Sequence, residues 1–212
     1  MTSIVRSGVT SWLTALSAVV AVSLSIPPLR STIEQSMAWH MVFQMPLLVL
    51  SGWLAAQSIL PRYVSGYLPQ HLTRYWSRIN HFGLTGLMAA QAIVAYWMLP
   101  LAIDRAVVLP QVDAVKILTL FLGGGLLADG FRRAPMVLQL FFMGYWVPMM
   151  AWLGIYLATT DLRVCNAYSL QTQVQTGWGL LVLGAALGAT WVAHGVANGV
   201  ARGVATKIKQ VG

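Results

Sequence analysis

The sequence predicts an all-α polytopic membrane helix bundle with six transmembrane helices and both termini cytoplasmic. Hydrophobic residues make up 58% of the 212, while Asp, Glu, Lys and Arg make up only 8%. The mean hydropathy is +0.70. The apolar residues also gather into stretches of about 20, the length needed to cross a hydrocarbon core of roughly 30 Å. A soluble domain carries about a quarter charged residues. At 8% there is too little polar surface to coat a water-facing globule, which excludes a soluble enzyme, a disordered chain and a fibrous protein. The lone cysteine, Cys165, excludes an internal disulfide and a cysteine-built zinc or iron–sulfur centre.

The spans are expected near 9–28, 37–59, 81–103, 114–131, 136–159 and 175–200, forming one integral membrane domain over 1–212. The first follows Arg6 in the manner of a signal peptide. Its apolar run is longer than a usual signal core, however, and Ile26-Pro27-Pro28 is a poor cleavage site, so it is read as a span. The fourth is crowded by Asp113 and Lys116 at one end and by Asp129, Arg132 and Arg133 at the other. The connection over 60–80 sets Tyr63, Tyr67, Tyr75 and Trp76 among arginines, the composition of an amphipathic connector lying in the headgroup layer.

Charge gives the direction. Arg6, Arg62, Arg74, Arg78, Arg132, Arg133, Arg202, Lys207 and Lys209 fall on one side with Asp129 as the only acid there. On the other side Arg30, Arg105, Lys116 and Arg163 balance Glu34, Asp104, Asp113 and Asp161. The whole net charge of +8 therefore faces the cytoplasm, as the positive-inside rule requires. Because membrane sidedness accounts for the charge, nucleic-acid binding loses its support.

Glycine reads as packing. Gly184 and Gly188, then Gly195, Gly199 and Gly203, recur four residues apart within each group and form a stripe along the last span. Gly123-Gly124-Gly125 has neither a preceding strand nor a following Lys-Ser/Thr, so it marks a thin or bent helix and not a phosphate loop.

Chemistry has few candidates. All five acids sit near span ends, paired carboxylates are absent, and no serine has a histidine and an acid in a readable motif, so no enzyme activity is expected. The second span opens Met37-Ala38-Trp39-His40-Met41-Val42-Phe43-Gln44-Met45-Pro46, which puts positions 37, 40, 41, 44 and 45 on one broad helix face. Met98 at the end of the third span and Met149 and Met150 after Pro148 lie at the same outer depth. Thioether sulfur with imidazole suits Cu(I), giving His40, Met41, Met45 and Met98 as candidate ligands and Met37, Met149 and Met150 behind them. Packing is the competing account, since methionine commonly fills apolar cores. His81 and His194, both toward the cytoplasmic face, form the minimum pair for a b-type haem, with Asn80 and Asn198 as the ordinary alternative partners. Pro46, Pro100 and Pro148 are placed to bend three spans and shape an outward-facing cavity. Cys165, in the last outer loop, is either a reactive thiol, a disulfide partner or an unpaired buried thiol.

Three segments resemble the polytopic CtaG-like cytochrome c oxidase assembly factors. His40-Met41-Val42-Phe43-Gln44-Met45 with Pro46-Leu47-Leu48 is similar to the family's His-Met-x-x-His-Met stretch and its continuation. Trp97-Met98-Leu99-Pro100, followed by Asp104-Arg105, Asp113, Lys116 and Gly123-Gly124-Gly125, resembles its Trp-His-x-Pro segment and the next helix. Leu170-Gln171-Thr172-Gln173 before Gly177-Trp178-Gly179 is similar to its Asp-Gln approach to a late helix. The resemblance covers roughly 36–190 and implies copper handling or assembly of a haem-copper respiratory oxidase at the outer face of the plasma membrane. Gln44 stands where the family has its second histidine, Met98 where it has Trp-His, and the acid before the final glutamine is missing. Methionine binds Cu(I) whereas a glutamine amide is a poor ligand, so a scaffold or accessory subunit of a membrane complex that has lost the metal site is the rival expectation. A haem-b electron carrier is the third.

Overall fold

A computed structural model describes residues 12, 16, 17, 19–23, 26–58 and 69–211. Among them the chain is helical and contains no strand. A short α1, Pro27–Ile33, leads to a π-helical turn, Trp39–Gln44, which runs directly into α2, Met45–Ser58. There follow α3, Gln70–Ile79; α4, Leu84–Trp97; α5, Pro100–Val108; α6, Pro110–Arg133; α7, Met136–Thr159; and α8, Leu170–Val211.

Four helical stretches are long and apolar enough to cross a membrane: Trp39–Gln57, Pro110–Arg133, Met136–Thr159 and Leu170–Val196. A fifth crossing is possible through α4 and α5 taken together, but the two are bent by 71°. Of the six spans expected, four or five are shown among the described residues. The expected first span, 9–28, is described only at 12, 16, 17, 19–23 and 26–28, and the 60–80 connector before Pro69 lies outside the described residues. The third span, expected unbroken over 81–103, is broken at Leu99. Pro100 has no N–H to donate and crowds the residue before it, and Leu99 accordingly adopts the extended conformation, φ −72° and ψ 129°. The fourth span loses its crowded ends instead: Pro110 starts α6 a turn early, and Asp113 and Lys116 lie inside the helix and inside the protein.

The helices pack as two groups. The π-turn with α2, together with α4 and α5, surrounds α6, while α7 and α8 form an antiparallel pair. The principal helix contact between the groups is α8 against the π-turn. A Cβ on Gly179 would lie 2.8 Å from Cγ2 of Val42, so a side chain there would force the groups apart. The loop before α8 adds to this joint, because Asp104 of α5 accepts the backbone N–H groups of Asn166 (3.0 Å) and Ala167 (3.2 Å). The groups are thus fastened at the end of the bundle that carries His40. Toward the opposite end, marked by Asp129, α6 passes into α7 through Ala134-Pro135, Gln139 Nε2 donates to the carbonyls of Phe131 (3.2 Å) and Ala134 (3.0 Å), and Phe142 of α7 packs with Leu87, Ala90 and Leu127.

Close backbone approach is concentrated at a few glycines, and not mainly along the stripe of the last helix. Gly124 packs on the Val49 carbonyl and the Trp53 N–H of α2, and Gly52 on the Phe121 carbonyl of α6. A Cβ on Gly154 of α7 would stand 2.7 Å from the carbonyl of Gly177 on α8. On the stripe itself, Gly184 lies close to Met150, whose Cβ would be 3.2 Å from an added Cβ, whereas Gly188 makes ordinary contact with Val147 at 3.4 Å. Where lipid offers no hydrophobic contrast, such approach supplies the van der Waals contact that holds helices together.

At the Asp129 end, the Asp129 carboxylate collects Arg132 (2.7 Å), Arg133 (2.9 and 3.0 Å), the Trp76 indole N–H (3.1 Å) and the Asn80 amide (3.0 Å). Asn80 in turn accepts the Gly86 N–H at 3.0 Å. One buried acid therefore ties the amphipathic α3 and the start of α4 to the end of α6. Gly83, at φ 75°, turns the chain between α3 and α4 against Gly130, a left-handed position that favours glycine.

Gly124→Ala is expected to destabilise the protein by about 1–3 kcal/mol, because its Cβ has only backbone to displace. Gly144→Ala, with nothing within 4 Å of the new Cβ, should be neutral or mildly stabilising. Thermal unfolding of the two variants in detergent compares them directly.

Candidate functional site

The site begins in the π-turn. Its wider winding links the N–H of Met45 to the carbonyl of His40, one residue further back than in an α-helix. Trp39 and Phe43 stack outward with ring centroids 4.5 Å apart. Met37, His40, Met41, Gln44 and Met45 are all buried, at 1, 0, 3, 0 and 6% exposure, which is the shared face that the spacing predicts.

That face looks onto two environments. His40 points into a polar cluster built from four parts of the chain. Lys116, wholly enclosed, places its Nζ 3.0 Å from Glu34 Oε1, 2.6 Å from Asp113 Oδ1 and 2.8 Å from His40 Nε2. The other imidazole nitrogen, Nδ1, is 2.5 Å from the Tyr168 hydroxyl. An ammonium has three N–H groups and no acceptor, and Lys116 meets three acceptors. His40 Nε2 therefore accepts from Lys116, which puts the imidazole proton on Nδ1, where it donates to the Tyr168 oxygen. Burial, followed by the negative charges of Glu34, Cys165, Asp104 and Asp113, raises the Tyr168 phenol far above its ordinary range, so it stays protonated.

The paired carboxylates that sequence reading found absent are present in space. Glu34 and Asp113 lie 79 positions apart in the chain, yet both meet Lys116. Asp113 and Lys116 are also one helical turn apart on the face of α6 that meets the π-turn, a spacing visible in the sequence that could have signalled the pair. Because the Lys116 ammonium occupies the centre of this cluster, a metal ion has no place there. No three His, Cys, Asp or Glu side chains among the described residues form a metal-holding group.

The second environment is a cavity of about 1410 Å³ between the two helix groups. Of the candidate ligands, Met41, Met45 and Met98 line it together with Met150, and Met143 lies further along the wall. Met37 belongs to the packed core and does not line the cavity, and neither does Met149. The cavity runs past Trp53, Leu127 and Leu187 to Asp129, Arg132, Gln139 and His194 at the other end. The four proposed ligands are thus divided: three thioethers line one cavity, while both nitrogens of His40 are engaged elsewhere. The prolines bear on this as expected in part, since Pro46 lines the cavity and Pro100 breaks its helix.

His81 and His194 are not brought together as a haem pair. His81 is exposed in the turn before α4, its ring edge-on to Phe82, and only His194 reaches the cavity. Cys165 is a free thiol buried at 1% exposure, which selects the unreactive reading of the three. Burial, and then the charge of Asp104, pushes its pKa up to about 11.

Comparison of the chain with protein-family models, with curated proteins and with solved structures found no match.

Two measurements test the geometry. Lys116→Ala leaves Glu34, Asp113 and His40 facing a void and should cost about 3–5 kcal/mol, whereas Tyr168→Phe, which removes one hydrogen-bonding oxygen, should cost about 0.5–1.5 kcal/mol. Thermal unfolding in detergent separates the two. For Cys165, a thiol pKa raised to about 11 leaves about one molecule in a thousand as thiolate at pH 8. Maleimide labelling of the folded protein at pH 8 should therefore be slow, and should become fast on unfolding in denaturant.

Proposed function

We propose that this multi-pass membrane protein handles Cu(I) at the outer face of a bacterial plasma membrane, in assembling a haem-copper respiratory oxidase. The observation that carries the reading is that Met41, Met45, Met98 and Met150 all line one cavity. Thioethers are neutral, soft donors that take Cu(I) in preference to hard cations, and a dry apolar wall suits a cargo that must be released to a partner. The oxidase part of the reading rests on the resemblance of residues 36–190 to CtaG-like factors. In this reading the cargo ions meet sulfur alone. His40 acts as a positioning residue: held between Lys116 and Tyr168, it anchors the π-turn that turns Met41 and Met45 inward.

The engagement of His40 favours a second reading, a scaffold or accessory subunit of a membrane complex. Purification in mild detergent with a stoichiometric membrane partner and no copper affinity would support it.

The test of the first reading is competition for Cu(I) against a colorimetric chelator under reducing conditions. The purified protein should hold Cu(I), and Met45→Leu combined with Met98→Leu should weaken it by at least about tenfold, with Met37→Leu and Met149→Leu unchanged. Absence of Cu(I) binding in the parent protein, or equal binding by the double variant, defeats the reading.

A further inference from the structure

The far end of the same cavity has a different chemistry, which the copper reading does not use. Its walls there are apolar, with Leu127, Met143, Leu183 and Leu187 along them, and its mouth is polar and basic, with Arg132 and His194. Two features identify what fits. The first is length. Met136 and Trp146 both line the cavity, and at 1.5 Å of rise per residue they span roughly 15 Å of α7, the length that one leaflet's acyl chains occupy. The second is charge. Asp129 is shared by Arg132 and Arg133, so these three sum to +1, and the Arg132 side chain remains 61% exposed while donating to Asp129 through Nη2. The amphipathic α3, tied to Asp129 through Trp76, adds exposed Arg74 and Arg78 at the same end. A cationic mouth above an apolar slot complements a molecule with an anionic head and a hydrocarbon tail.

We propose that the Asp129 end of the cavity binds one anionic phospholipid, its phosphate paired with Arg132 and one acyl chain lying in the slot between α7–α8 and α2–α6. Zwitterionic phospholipid has the same tail but carries a compensating cation, so the head supplies the selectivity and the slot supplies the affinity. The site stands independently of the copper reading, since neither Arg132 nor this part of the slot includes Met41, Met45, Met98 or Met150.

The experiment is native mass spectrometry of the full chain in non-ionic detergent, titrated with phosphatidylglycerol or with phosphatidylcholine of identical chains. The parent protein should retain one phosphatidylglycerol, preferred over phosphatidylcholine by about fivefold or more, the order expected of a single arginine at a headgroup. Arg132→Gln should abolish the preference while leaving Cu(I) binding unchanged. Thr190→Trp, which places an indole on the cavity wall, should prevent retention of either lipid. Equal retention of the two lipids by the parent protein, a preference that survives Arg132→Gln, or undiminished retention by folded Thr190→Trp would each overturn the proposal. If Thr190→Trp fails to fold, as judged by its thermal unfolding, the parent and Arg132→Gln comparisons decide the matter by themselves.

Discussion

A lysine ammonium removed from water must find an acceptor for each of its N–H groups, and the arrangement of the His40 end follows from that demand on Lys116. Glu34 comes from the segment after α1, His40 from the π-turn and Asp113 from the preceding turn of α6 itself. Tyr168, from the loop before α8, completes the set through the imidazole. Every element that must meet at this end sends a polar group to one point. A buried ion pair is weak evidence for stability, because desolvation offsets most of the attraction. It is stronger evidence for register, since sliding α6 by one turn past the π-turn would strand charges in an apolar interior. The π-winding of Trp39–Gln44 fits the same account: it turns His40 toward Lys116 while keeping Met41 and Met45 directed to the cavity.

The cavity lies between two helix groups that are fastened at both ends. Tyr168 to His40, Asp104 to the loop at 166–167 and Gly179 against Val42 hold the His40 end. At the Asp129 end the chain passes from α6 to α7, Gln139 donates to the Phe131 and Ala134 carbonyls, and Phe142 packs with Leu87 and Leu127. Within each group the helices touch closely through glycine, Gly124 and Gly52 in one and Gly154 with Gly177 in the other. The space between these joints is lined in part by long flexible side chains, methionine among them.

How far the sequence spoke depends on the kind of information each feature needs. Apolar length is local, so the fifth span was legible to the residue, as 136–159, and the helical face carrying residues 37, 40, 41, 44 and 45 followed from spacing alone. The break at Leu99 was less legible, although Pro100 announced a bend, because the same proline can kink a span or end it. The polar cluster was not legible as a unit. Glu34, Asp113 and Lys116 each read as an ordinary charge near a span boundary, and only the fold shows that the boundary of α6 lies within the protein. His40 was singled out as a candidate ligand, but a sequence cannot say whether the partner of a buried imidazole is a metal, a lysine or a tyrosine. The glycine stripe was read by period, yet the tightest approaches fell at Gly52, Gly124 and Gly83, followed by Gly177 and Gly154, where a neighbouring backbone lies against the glycine.

The two environments beside the π-turn also bear on each other electrostatically. Met45 follows His40 by five residues, about 8 Å of helix. A cation among the thioethers at about that distance from Lys116 would be repelled by roughly 2 kcal/mol at an effective dielectric constant near 20. Glu34 and Asp113, within 3.0 Å of the same ammonium, bring the cluster's sum to −1 and more than offset that repulsion. The carboxylates therefore do more than satisfy Lys116. They turn the net field of the cluster at a neighbouring cation from repulsive to attractive. His40, accepting from Lys116 on one side and donating to Tyr168 on the other, is the neutral group that separates the two.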